Sequence, residues 1–189
     1  MGGMFFLALI AVAVIWAVMA YNGLVGLKHN VTKSFANIDV LLKQRHDELP
    51  KLIDTCKQYM QHEQATLEKV IAARAKVSNA RESQDVAAVG RAETGLRSGL
   101  GQLFALAESY PDLKANEQFV QLQARISSLE NSIADRREFY NESVNINNVR
   151  IEQFPGVLVA RLFNFKAFEL LKFAAEELTD VDVSARFKA

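Results

Sequence analysis

Residues 4–20 read MFFLALIAVAVIWAVMA, seventeen positions whose only polar side-chain group is the indole N–H of Trp16. No other stretch restricts the fold as hard, because a helix packed on the outside of a soluble core carries a polar stripe and this one has none. At the helical rise the run covers about 26 Å, and Gly2, Gly3 and Tyr21 bring it near the roughly 30 Å of a bilayer core. Trp16 and Tyr21 lie toward its C-terminal end, where amphipathic rings favour the membrane–water interface. A cleaved signal peptide would need a basic leader, and no Lys or Arg precedes Lys28. Myristoylation is excluded, since Phe6 stands where Ser or Thr is required. Residues 1–22 are therefore read as a transmembrane anchor. Lys28, Lys33, Lys43 and Arg45 follow the span with nothing basic before it, which places the N-terminus outside and the remainder in the cytoplasm.

Beyond the anchor the apolar spacing is helical throughout. Leu24, Leu27, Val31, Phe35, Ile38 and Leu42 recur at steps of three and four, so the anchor is expected to continue as one helix to about His46–Asp47. Residues 44–50, QRHDELP, then look like a hairpin corner. Pro50 suits the first turn of a new helix, Asp47 its cap, and Arg45 and His46 the C-terminal dipole of the helix before. The same four residues, Arg45, His46, Asp47 and Pro50, are also a candidate docking point.

A second stripe runs from Leu49 to Val77 and fades over 78–85. A third helix is expected from about Asp85 to Ser109. It holds Gly90, Gly95, Gly99 and Gly101, read as sites of close helix–helix approach because no phosphate-loop spacing is present. YPDLKAN, 110–116, is a turn in which Asp112 or Asn116 can cap the next helix. The fourth helix carries the seam Phe119, Leu122, Ile126, Leu129, Ile133, Arg136, Tyr140. An arginine on a seam needs a carboxylate from another helix or must snorkel, so Arg136 is expected to pair. Pro155-Gly156 ends this helix, and 157–189 forms a phenylalanine-rich segment with a polar tail. The fold class is all-α: an N-terminal transmembrane helix continuous with a long antiparallel bundle of about four helices. Three parts follow: anchor 1–22, bundle 23–156, C-terminal segment 157–189.

Motifs for chemistry are missing. His29, His46 and His62 form neither His-Glu-x-x-His nor paired Glu-x-x-His units. The single cysteine, Cys56, falls on an apolar stripe, as a buried small hydrophobe would, and can form no internal disulfide. No Gly-x-Ser-x-Gly occurs. No catalytic residue, cofactor or metal site is assigned. Basic and acidic residues balance at 22 each and interleave, which argues against nucleic acid as a partner.

Several strings together resemble the LemA family of bacterial membrane proteins. They are YNGLV (21–25), IDVLLKQRHDELPKLIDTCKQYMQHE (38–63), YPDLKANEQFVQLQARISSLENSIADRREFYNESVN (110–145) and FPG (154–156). The resemblance implies a single-pass protein of the bacterial inner membrane with a helical domain, and hints at membrane-protein quality control. It supplies no catalytic residues. Lys51 departs from the family's Asn after the proline, which weakens the idea of a fixed polar site at this turn. Three functions compete: a scaffold or adaptor that binds membrane lipid and a protein partner or further copies of itself, a ligand-sensing bundle, and an enzyme. The first has positive support in the anchor and the long seams; the enzyme has none.

Overall fold

The structure is a computed structural model, which describes residues 2–173. Among the described residues there are six helices and no strand. Four are long: α1 (Gly2–Tyr59), α2 (Gln64–Glu82), α3 (Val86–Ala107) and α5 (Glu117–Glu152). Two are short: α4 (Pro111–Lys114) and α6 (Gly156–Leu162). The expected all-α architecture is present, and the apolar N-terminal run does continue as one helix into the packed part of α1. The C-terminal segment expected over 157–189 is described only to Phe173; the polar tail lies outside the described residues.

The described residues form two compact units, 2–40 with 133–170, and 41–132 with 171–173. These limits fall elsewhere than at 22/23 and 156/157, because α1 and α5 each contribute to both units. In the first unit α1 and α5 run antiparallel: Ser34 meets Ser143, Phe35 meets Tyr140, and Leu24 clusters with Ile151. Leu24, Val31 and Ile38 are buried, as their spacing requires. In the second unit one core joins Leu49, Leu52, Ile53 and Cys56 of α1 with Leu67, Val70 and Val77 of α2. Leu96, Leu100 and Leu103 of α3, Leu113 of α4, and Phe119, Leu122 and Ile126 of α5 complete it.

The hairpin corner expected at 44–50 is not there. Pro50 lies inside α1, which continues to Tyr59, so Asp47 caps nothing and Arg45 and His46 do not end a helix. Continuity keeps Leu49, Leu52, Ile53 and Cys56 in phase with Leu42, and all five are buried. A mid-helix proline costs about 3 kcal/mol, whereas each fully buried aliphatic side chain contributes about 1.5–3 kcal/mol. The apolar register therefore outweighs the breaker. The reversal comes at 60–63, where neither Pro nor Gly marks it. It is held by side chains from the far end of the unit: Asn116 donates to the Tyr59 hydroxyl (3.1 Å), and Tyr110 donates to Glu63 (3.4 Å). The fading stripe at 78–85 resolves into the last turn of α2 and a short connection. Gln84 adopts a left-handed φ of 54°, and Asp85 caps α3 through Ala88 N–H (2.8 Å). Asn116 caps α5 through Phe119 N–H at 3.0 Å, one of the two expected candidates.

Candidate functional site

The most unusual chemistry lies in the second unit, where α1, α3 and α5 meet. Arg45 is 1% exposed and Glu93 0% exposed. Nη2 of Arg45 donates to both carboxylate oxygens of Glu93, and Nη1 lies 3.8 Å from Oε1 of Glu130 on α5. One guanidinium is thus flanked by two carboxylates from two other helices. Isolated charges at this depth would be prohibitively costly, so each makes the other tolerable. The helices explain the placement. Arg45 continues the stripe Leu42–Arg45–Leu49 at steps of three and four, and Glu93 continues Val89–Glu93–Leu96 at four and three.

Beside this pair, Pro50 has removed the N–H that would have bonded the His46 carbonyl four residues earlier. Arg74 of α2 supplies the missing donor: its Nε donates to His46 O at 3.0 Å. Its Nη2 lies 2.7 Å from His46 Nε2. Burial, and then the Arg74 charge, lower the pKa of His46 below its ordinary 6.5. The ring is accordingly neutral near pH 7, with Nε2 accepting from Arg74. Glu48, one turn from Arg45, faces outward and pairs with Lys51 (3.2 Å) and Arg125 (3.0 Å). Cys56 is buried, and burial pushes its thiol up to about 12, so it is a core side chain and not a thiolate nucleophile at neutral pH.

These positions divide the expected site. Of Arg45, His46, Asp47 and Pro50, only Asp47 is openly exposed. Arg45 is committed to Glu93, and His46 to Arg74. A docking surface here would use Asp47 with Glu48 and Arg125, which line an open cleft of about 430 Å³ with Gln44 and Leu129. Arg136 is corrected as well. It is exposed and its guanidinium lies over the ring of Phe139 at 5.8 Å, so it is a surface residue and not a seam charge. The half-buried position after Ile133 is Arg137, one residue on, because a four-residue step is as consistent with the seam as a three-residue step. The buried arginine the seam argument looked for is Arg45. The same signal, a charge between apolar residues at helical spacing, marks both Arg45 and Glu93.

No group of three or more metal-capable side chains occurs among the described residues. Arg45 and Glu93 are buried within the unit, where the pair can fix helix register and charge, while Glu130 beside them is 19% exposed. In the first unit, Tyr140 plays a comparable role. Its buried hydroxyl donates to the Glu169 carbonyl (2.8 Å), and burial, then Glu169, push it up to about 12.

The sequence model described as the LemA family matches residues 34–185. Protein LemA of Metamycoplasma hominis is 27% identical over 181 residues, 96% of this chain and 82% of that protein. Magnetosome protein MamQ of Magnetospirillum gryphiswaldense and Magnetosome protein MamQ 1 of Paramagnetospirillum magneticum are each 31% identical over 78 residues, 41% of this chain. That match spans only 29% of either magnetosome protein.

Proposed function

The chain belongs to the LemA family, and from that premise we propose that it is a single-pass scaffold of the bacterial inner membrane. Its helical part lies in the cytoplasm and binds a protein partner or further copies of itself, in the service of membrane-protein quality control. One observation carries this reading. The first turns of α1 are large apolar side chains left uncovered, from Met4 at 79% exposed through Val18 at 54%, on a helix that continues unbroken into the packed bundle. Such a surface has lipid as its natural solvent. The protein acts by binding and not by catalysis. In support, the buried polar groups of the second unit already have structural work: Glu93 neutralises Arg45, and Arg74 repairs the backbone at Pro50. The magnetosome name of the partial relatives is not carried over to this chain, because so little of those proteins is matched.

Extraction of the full chain in mild detergent, followed by native mass measurement, tests the proposal. The expected result is a complex of fixed stoichiometry, homomeric or with a membrane protease or chaperone component. A monodisperse monomer carrying a small molecule would favour the ligand-sensing alternative. That alternative has a specific place, the open cleft of about 610 Å³ at the α1–α2 turn lined by Lys57, Met60, His62 and Leu67.

A further inference from the structure

We propose that α6 and the loop after it are a second membrane contact, seated on the lipid interface beside the end of the anchor and bound to anionic headgroups through Lys28 and Lys166. The inference rests on the reading of residues 1–22 as an anchor. Both regions belong to the first compact unit. Val159 and Ala160 of α6 are buried in a cluster with Leu24, against which Trp16, Ala17 and Ala20 pack. This places α6 level with the last turns of the apolar run, where an interfacial belt would lie. The other face of α6 is apolar and uncovered, with Leu158 58% and Leu162 77% exposed, and Phe154 before it and Phe163 at its C-cap are 81% and 55% exposed. The helix and its two ends thus present apolar groups both inward and outward. The outward set stands level with the last turns of the apolar run of α1, on which Val159 and Ala160 pack, and it is that adjacency that identifies its occupant as lipid.

The element is built to hold this pose. Asn164, with φ 55°, ends α6 in a left-handed turn, with Phe165 N–H bonded to Ala160 O (2.9 Å) and Asn164 N–H to Arg161 O (3.3 Å). The turn brings Phe163 and Phe165 onto Tyr21, with ring centroids 4.7 and 5.7 Å away. Asn148 then clamps Phe168 by two bonds of 2.9 Å: its Nδ2 donates to the Phe168 carbonyl and its Oδ1 accepts from the Phe168 N–H. Between loop and helix lies a cleft of about 490 Å³, lined by Tyr21, Lys28, His29, Asn147 and Lys166 among others. Lys28 stands seven residues past Tyr21, about 10 Å along the helix, from where its stem can extend part of the way back toward the headgroup layer. Exposed Arg161 adds a cation, and exposed Glu152 and Glu169 oppose it, so the lysines of the cleft set the balance.

Nitroxide labels test the proposal on the full chain in nanodiscs of phosphatidylcholine, alone or mixed with phosphatidylglycerol. Cysteines are placed singly at Val12, Leu158 or Leu162 in a Cys56→Ala background. The expected result is high oxygen and low aqueous-quencher accessibility at Leu158 and Leu162 as well as at Val12. Phosphatidylglycerol should deepen the α6 labels, and Lys28→Gln with Lys166→Gln should abolish that deepening. Each lysine is expected to change the docked-to-lifted ratio about fivefold. Free inorganic phosphate should leave the labels unmoved; an equal response to it would make the site one for soluble anions and overturn the lipid assignment. Water-like Leu158 and Leu162 with a lipid-like Val12 overturn this inference alone. A water-like Val12 overturns the anchor and this inference with it. Spin–spin broadening at Leu162 that disappears on dilution with unlabelled protein would show a second copy on this face, and lipid would not be its occupant.

Discussion

Arg45 is the residue on which the second unit depends most sharply. Its guanidinium is bonded to Glu93 in a place water does not reach. Removing one member of such a pair strands the other, at roughly 3–5 kcal/mol, whereas replacing both by apolar residues is often neutral or stabilising. Arg45→Met and Glu93→Leu should therefore each lower the urea midpoint of helical ellipticity, and the double variant should recover most of the loss. Equal and additive losses would show that the pair is not coupled. His46 gives a pH-dependent counterpart. Its folded pKa lies below the unfolded 6.5, so the folded state binds fewer protons. The contribution of this residue is complete above 6.5 and is lost as pH falls through its folded pKa. A melting-temperature profile should decline more steeply below pH 6.5 for the wild type than for His46→Gln, whose amide oxygen can still accept from Arg74. The signal for Arg45 and Glu93 was legible in the sequence as two charges on apolar stripes. At Arg136 the same signal is ambiguous by one residue, because Arg136 and Arg137 are consecutive. Nothing local could reveal that Arg45 and Glu93, 48 residues apart, are partners.

At the level of elements, the sequence was most legible where a period was long and least where a breaker was overruled. The stripe of α1, most of the seam of α5, the start of α3 near Asp85 and the Asn116 cap follow from spacing and turn chemistry. Pro50 is no breaker here because another helix brings a donor to the His46 carbonyl, which no local propensity contains. The reversal after Tyr59 was invisible because it is enforced by Tyr110 and Asn116, far along the chain. The close approach expected at the glycines of α3 holds at two of the four. A methyl at Gly90 would collide with the Lys172 carbonyl and one at Gly99 would touch Val70, but Gly95 and Gly101 face open space. The arrangement at Pro50 makes a quantitative prediction. In the wild type, Arg74→Met leaves the His46 carbonyl without its donor and should cost about 1–3 kcal/mol. In a Pro50→Ala background the restored N–H takes that carbonyl back within the helix, so the same substitution should cost distinctly less. Denaturant unfolding of the four species of this cycle measures the difference; a null coupling energy would mean that Arg74 does not compensate the proline.

For the whole molecule, the proposed membrane placement of the apolar start of α1 turns on the charges beside it, and these make the orientation testable. Totals do not decide it, since 22 basic residues meet 22 acidic ones. Orientation depends on the basic residues close to the span, and within about 15–20 residues of its end these are Lys28 and Lys33. Both are exposed on α1, so neither is committed to holding the fold. Replacing them with glutamine while changing Gly2 and Gly3 to lysine reverses the bias without disturbing a packed residue: no side chain approaches either glycine. Protease added to intact spheroplasts should spare the bundle of the wild type and digest that of the reversed variant, with the opposite pattern in inverted vesicles. If both chains are cleaved from the same side, the lysines do not set the topology, and the cytoplasmic placement of the scaffold, with the cytoplasmic partners it presupposes, loses its physical basis.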